Sequence, residues 1–346
     1  MSRSHVLTSV EDGVGRIVLH RPNSLNALTL DMIRVISAAL EAWKTNNDVR
    51  CVIFSGAGPR AFCAGGDVKQ FYRAGMDFRR GDTDIEPALL FFKEEYALNA
   101  LISSYPKTTI SYMDGIVMGG GYGIGGHCDF RVVTDQTVFA MPEVKIGFFP
   151  DVGSVYHLLK APKSYGTYLA LTGESIGAAD MVRNHLADFY THMPAKDVDL
   201  ILRDSDFTPE NIRVILETVS HDTQDDGILQ DQDDFIHTVF EGFRLPKIMK
   251  VLSDTDTLFA YNTRKALLAA NPSSVLVTAE HLRLSVGLSL QEVLAQDLIL
   301  AKHFLQRSDM YEGIEARIIA KDRAPVWSAG GMKEMTLEDV SAYFQS

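Results

Sequence analysis

Six of the eight residues in Gly119-Gly-Gly-Tyr-Gly-Ile-Gly-Gly126 lack a Cβ. One physical reason for such a run is that backbone N–H groups at the start of a helix must approach an anion or a developing oxyanion, which side chains would obstruct. The other is a close helix–strand crossing, where glycine only makes room. Gly121 to Gly126 also fits the dinucleotide fingerprint GxGxxG, with Glu143 twenty residues after Gly123 where a ribose-binding acid would stand. Glycine density this high makes a chance match easy, and Pro142 adjoins that acid.

A second glycine turn, Arg60-Ala-Phe-Cys-Ala-Gly-Gly-Asp67, offers another backbone donor. Two N–H groups arriving from separate loops form an oxyanion hole. Asp67 itself reads as a helix cap. Further on, Met141-Pro-Glu-Val-Lys-Ile-Gly-Phe-Phe-Pro-Asp-Val-Gly153 sets Glu143 and Asp151 eight residues apart in an apolar loop. Carboxylates there need either salt-bridge partners, for which Lys145 is a candidate, or environments that push their pKa values apart and divide base and acid duties.

Around these motifs the first half alternates between two periods. Arg16–His20 and Val49–Phe54 read as strands, and between them Met32, Val35, Ile36, Ala39, Leu40 and Trp43 mark a helical face behind Thr29 as N-cap. This is a βαβ unit. Thr108–Met113, Phe130–Val133 and Thr137–Met141 read as further strands. After about residue 200 long amphipathic stretches take over. The best marked is the face Leu290, Val293, Leu294, Leu298, Ala301, Phe304 and Leu305, opened by Ser289 and Glu292 as a capping box. The expected organisation is therefore an α/β core over residues 1–200 and a helical region over 201–346. Six aspartates within Asp222–Asp234 read as a solvated linker, since a calcium loop needs glycine sixth and glutamate twelfth, and that register fails.

Charge and cysteine content exclude several function classes. A net charge of −12 argues against a general affinity for nucleic acid or an anionic membrane surface. Cys51, Cys63 and Cys128 are odd in number and widely spaced, which suits a reducing compartment and small buried residues. No apolar run approaches the ~18 residues of a membrane helix, and the N-terminal residues do not resemble a secretory signal. A cytoplasmic protein is expected, or a mitochondrial matrix one if the chain is a processed eukaryotic product. No GxSxG elbow occurs, Cys63 has no patterned histidine nearby, and the consecutive His127, Cys128 and Asp129 lack metal-ligand spacing. No metal is expected.

Taken together, Arg21-Pro-Asn-Ser-Leu-Asn-Ala-Leu28, Ala61–Asp67, Asp114-Gly-Ile-Val-Met-Gly-Gly-Gly121 and Met141-Pro-Glu143 resemble, in order, the signature segments of the crotonase, or enoyl-CoA hydratase/isomerase, superfamily. Phe91–Asn99, Phe149–Gly153, Tyr311–Arg317 and Lys321-Asp322 resemble its branch that hydrolyses 3-hydroxyisobutyryl-CoA. The resemblance implies an α/β spiral of ββα repeats with a mainly helical C-terminal region. It also implies hydrolysis of a short branched 3-hydroxyacyl-CoA, with coenzyme A as part of the substrate and no separate cofactor. By motif position the oxyanion donors fall on Gly66 and Gly120, the catalytic carboxylates on Glu143 and Asp151, and a substrate-contacting glutamate on Glu95, whose plainer reading is a solvated helix charge beside Glu94. Two-glutamate hydratases carry a second acid where this chain has Gly123, which sets hydratase or isomerase activity second and a nicotinamide oxidoreductase a distant third. The basic residue that hydratases often have after Arg-Pro is Asn23 here. Crotonases often form trimers or hexamers, so a homo-oligomer is within the resemblance.

Overall fold

The computed structural model describes residues 5–203, 206–223 and 227–345. The first two strands, β1 (Val6–Glu11) and β2 (Val14–Leu19), form an antiparallel hairpin. Its two turn residues, Asp12 and Gly13, have φ of 51° and 84°, the left-handed pair whose twist suits a two-residue hairpin. The chain continues through the helix Leu30–Trp43 to β3 (Cys51–Gly56), which lies parallel to β2 in the register Val14↔Cys51. This confirms the expected βαβ unit. Thr29 caps the helix, its hydroxyl accepting the Met32 N–H at 3.2 Å. The buried face is Met32, Ile33, Ile36, Leu40 and Trp43, whereas Val35, expected inside, is exposed and Ile33 takes its place.

Seven strands follow among the described residues: β4 (Ala61–Cys63), β5 (Thr108–Met113), β6 (Ile116–Met118), β7 (Phe130–Val133), β8 (Val138–Ala140), β9 (Ile176–Gly177) and β10 (Phe189–Tyr190). They complete a six-stranded sheet of order β1-β2-β3-β5-β7-β10 and a four-stranded sheet of order β4-β6-β8-β9. From β2 to β10 the larger sheet is parallel. Helices Ala195–Leu202 and Pro209–Thr218 place Val198, Leu202, Ile212 and Leu216 in a core with Val14, Ile53, Ile110, Val132 and Phe189. Burial on this scale, at about 25 cal/mol per Å² of apolar surface, is what holds a parallel sheet covered by helices.

The described residues sort into two compact units, each built from three stretches: Met1–Gly66, Glu94–Phe139 and Ile176–Gln230, and Asp67–Lys93, Ala140–Ser175 and Asp231–Ser346. The division drawn at residue 200 is one of chain order, and beyond Tyr190 the described regular elements are helices. The helix Leu290–Leu305 opens with the expected Ser289–Glu292 capping box. Its buried face holds most of the expected apolar residues, and Asp297, fully buried, lies in their midst. In the aspartate-rich stretch, residues 224–226 lie outside the described residues. Its flanks are bonded, with the Ile228 and Leu229 N–H groups donating to the Asp180 carboxylate and Lys163 reaching Asp233 at 3.2 Å. Among the described residues no helix is long and apolar enough to cross a membrane.

Candidate active site

Strands β4 and β6 are short parallel neighbours, pairing Ala61 with Ile116 and Cys63 with Val117. Parallel neighbours end at the same sheet edge, so the turns that follow them, Ala64–Gly66 and Gly119–Gly120, emerge together. Gly65, at φ 101°, fits so closely that a Cβ there would lie 3.2 Å from the Met118 carbonyl oxygen and 3.6 Å from the Gly120 nitrogen. Gly66 is fixed from its other side by the segment Leu25–Leu28. The Leu28 N–H donates to the Gly65 carbonyl at 2.8 Å, the Ala64 N–H to that of Leu25 at 3.0 Å, and Leu28 bridges Gly66 in parallel. Asn26, wholly buried, ties this strut down. Its amide N–H groups donate to the Ala57 and Ala61 carbonyls at 3.0 and 2.8 Å, while its carbonyl accepts the Arg21 N–H at 2.8 Å.

Gly120 opens the short helix Gly120–Gly125. A methyl group on it would collide with Oε1 of Glu95, which projects from the helix Glu86–Ser103. Glu95 is 2% exposed and so is no solvated helix charge. Its neighbour Glu94 has that role, pairing bidentately with Arg34 at 2.7 Å. One turn after Glu95, buried Asn99 donates to the Gly123 carbonyl at 2.8 Å, so the position that carries an acid in two-glutamate hydratases is here held through its backbone. Other glycines of the run make room, as a side chain on Gly121 would strike the Cys63 carbonyl and one on Gly125 the Met113 thioether at 2.6 Å. Close packing is therefore the role of Gly121 and Gly125.

In the other unit, Glu143 starts a 3-10 turn, Glu143–Ile146, and is 7% exposed. The Asn271 N–H donates to the Val144 carbonyl at 2.9 Å, and the Asn271 side chain donates to Asp309 at 2.7 Å. Gly147, at φ 76°, abuts the Asp309 carbonyl so closely that a Cβ would approach it to 2.5 Å. Phe148 and Phe149 then bury their rings against each other and Phe304, with centroids 4.6 to 5.5 Å apart. Asp151 follows, 5% exposed, and the chain turns sharply through Val152 and Gly153 at φ 55° and 71°. The Gly153 N–H donates to Asp297 at 2.7 Å, and Asp297 pairs with His281 at 2.8 Å, both side chains fully buried. Lys145, expected as a partner of Glu143 or Asp151, forms its ion pair with Glu174 at 2.8 Å.

The remaining candidates take structural roles. Burial raises the Cys63 thiol to about 12 and the Cys51 thiol to about 12, and raises that of Cys128 further, so none is a ready thiolate. Asp129 accepts the Thr109 N–H and hydroxyl at 2.8 and 3.0 Å. Asp67 stands at the N-cap of the helix Val68–Arg80 without a capping bond from its side chain. Among the described residues no group of three or more His, Cys, Asp or Glu side chains could hold a metal ion. The bracing roles of Asn26 and Asn99, which lie inside signature segments, and of Asn271, His281 and Asp297, which do not, escape a motif-based reading because the segments they hold are distant in sequence. Asp297 alone leaves a signal, an acid inside an apolar helical face.

The sequence profile of the enoyl-CoA hydratase/isomerase family matches residues 14–344. The chain is 35% identical to the mitochondrial 3-hydroxyisobutyryl-CoA hydrolase of Homo sapiens over 99% of this chain and 88% of that one. It is 36% identical to the protein of the same name from Xenopus laevis, over 96% and 86% of the two chains. Among solved structures, a carnitinyl-CoA dehydratase from Mycobacterium thermoresistibile matches with a TM-score of 0.89 at 36% identity, covering 99% of this chain and 97% of that one. A profile match over residues 14–344, with relatives and a solved structure similar over nearly the whole chain, places it in the enoyl-CoA hydratase/isomerase family with the crotonase fold.

Proposed function

We propose that the chain hydrolyses a short branched 3-hydroxyacyl-CoA thioester, 3-hydroxyisobutyryl-CoA first among them, to the free hydroxy acid and coenzyme A. The observation that carries this reading is the near full-length similarity to relatives of that name. Coenzyme A arrives as part of the substrate, and no other cofactor enters the scheme. Gly66 and Gly120 donate their N–H groups to the thioester oxygen as it becomes an oxyanion. Glu143 either attacks the carbonyl or takes a proton from the attacking water. The C–O bond forms, the C–S bond breaks with its electron pair leaving on sulfur, and a proton completes the departing thiol; where the attacking oxygen is that of Glu143, water then cleaves the resulting anhydride to release the hydroxy acid and restore the carboxylate. Asp151 orients the substrate hydroxyl or handles that proton, which accounts for a preference for 3-hydroxyacyl groups, and Glu95 contacts the substrate beside Gly120.

The second reading, reversible hydration of an enoyl-CoA, draws on the likeness to the carnitinyl-CoA dehydratase. Thiol release from a panel of acyl-CoA esters separates the two. Hydrolysis predicts free CoA from 3-hydroxyisobutyryl-CoA and little turnover of crotonyl-CoA, and the converse pattern overturns it. Tight NADH binding without affinity for CoA would favour the oxidoreductase instead. After a single turnover in ¹⁸O water, label found in the Glu143 carboxylate by mass spectrometry of the protein establishes direct attack, since it enters there only when water opens a glutamyl anhydride at the glutamyl carbonyl.

A further inference from the structure

We propose that Asp297, backed by His281, is a positioning residue for Asp151. The inference rests on the reading of Asp151 as the acid that meets the substrate hydroxyl. Val152 and Gly153 adopt left-handed backbone in succession, at φ 55° and 71°. For a β-branched residue this conformation is strained and persists only where its surroundings impose it. The bond from the Gly153 N–H to Asp297 at 2.7 Å supplies that constraint two residues after Asp151. On the other flank, the His281 ring meets Phe149 edge to face, with centroids 5.8 Å apart. The pair therefore grips the loop on both sides of Asp151.

The cost of this arrangement points away from a mere stability role. Asp297 interrupts the buried apolar face of the helix Leu290–Leu305, and His281 lies equally buried on the helix Pro272–Ser285. A buried ion pair is often replaceable by apolar residues of similar volume without loss of stability. Here the carboxylate has two separate tasks, as Oδ2 accepts the loop N–H and Oδ1 faces His281 Nε2 at 2.8 Å. The second ring nitrogen is occupied as well, lying 3.1 Å from Gln296 Oε1 and 3.3 Å from the Ser285 hydroxyl. His281 fixes the carboxylate rotamer, the carboxylate fixes the turn, and the turn aims Asp151.

The test measures kcat and KM for 3-hydroxyisobutyryl-CoA and for isobutyryl-CoA, which lacks the hydroxyl. Asp297→Leu keeps the apolar face and removes the acceptor. It should lower kcat for the hydroxy substrate by about 10- to 100-fold with little change in KM, and shrink the preference over isobutyryl-CoA. Asp297→Asn retains an oxygen for the Gly153 N–H and should restore most of both. If Asp297→Leu does not fold, His281→Leu decides, since it frees the carboxylate to rotate and should erode the same preference. Folded variants that keep wild-type kcat and preference overturn the proposal. Asp151→Asn in the same panel separates the two levels. If it retains full kcat and preference, the reading of Asp151 is at fault. If it loses them while Asp297→Leu and His281→Leu do not, only the positioning proposal fails.

Discussion

The glycine turns of one unit and the acid loop of the other place their proposed reactive groups in opposite ways. In the first the groups are backbone N–H donors, and aim comes from what is missing. Glycine at 65 and 120 lets the two turns approach and leaves room for Glu95. In the second the groups are side chains, and aim comes from what is added, since Asn271 and Asp309 brace the Glu143 end while Asp297 and His281 brace the Asp151 end. A backbone donor tolerates almost any change in its neighbours' chemistry and no change in its own size. A carboxylate tolerates no change in its chemistry, and its aim depends on residues more than a hundred positions away.

The largest expected effect is on the chemistry-dependent side. Glu143→Gln keeps the size of the group and removes its basicity, so kcat should fall by roughly 100- to 10,000-fold while the ester still binds. Rapid-quench kinetics with a binding titration checks this, and a near-normal kcat would move the catalytic group elsewhere. On the size-dependent side, Gly120→Pro removes a donor and should lower kcat about 100- to 1000-fold. Gly120→Ala retains the N–H, yet its methyl would collide with Glu95 Oε1. Activity should drop, and adding Glu95→Ala, which costs activity by itself through the lost substrate contact, should leave the double variant less impaired than the two single losses combined, a coupling that additive effects would not show. If Gly120→Ala is silent, the size half of the comparison breaks.

The two halves were not equally legible from sequence. The glycine turns were, because a positive φ or a close backbone approach restricts the residue type at the position itself. Asp12 and Gly13 carried the same kind of local signal for the first hairpin. The strand before them hid it, because β1 has one buried residue followed by five exposed ones and so lacks alternation. Glu143 and Asp151 were visible as acids in an apolar loop, but their supports were not. Lys145 was the nearest cation in sequence and pairs with Glu174 instead. Proximity along the chain misleads where a loop is held by helices that follow much later, and the one readable trace, Asp297 among Val293, Leu294, Leu300 and Ala301, says that an acid is buried without saying what it holds.

Two asparagines sharpen the comparison at smaller magnitude. Asn26 and Asn271 are both wholly buried, and each satisfies main-chain groups of its own unit. Replacing either by alanine orphans buried partners and should cost about 1–3 kcal/mol of stability in denaturant unfolding. Their kinetic signatures should differ. Asn26→Ala loosens the strut beside Gly66 and should slow every ester alike, whereas Asn271→Ala keeps its main-chain bond to Val144 but removes the donor to the Asp309 carboxylate and the acceptor of the Ser274 N–H, and should alter the pH dependence of kcat. Identical profiles would mean that the two braces are not specific to their units.

The smallest effect concerns how far the acid-loop brace extends. Asp309, which receives Asn271, also accepts the Ser328 N–H at 2.9 Å, so the segment after residue 320 is joined to the same helix, Ser308–Ile314. Glu312 ties it a second time, accepting the Arg323 guanidinium and the Val326 N–H, the latter at 2.7 Å. Those hydrogen bonds, Arg323 first, pull the Glu312 carboxyl from its ordinary 4.5 down to about 2. A group whose pKa is depressed by folding contributes stability that is whole above the unfolded value and is lost as pH falls through the folded one. Wild type and Glu312→Gln should therefore differ in thermal unfolding above about pH 4.5, and converge as pH falls toward about 2. The difference should be small, because the Arg323 side chain is 44% exposed and solvent screens such pairs. If the substitution also shifts kcat at neutral pH, the brace of Glu143 reaches through Asp309 into the C-terminal segment. If it changes stability alone, the brace ends at Asp309.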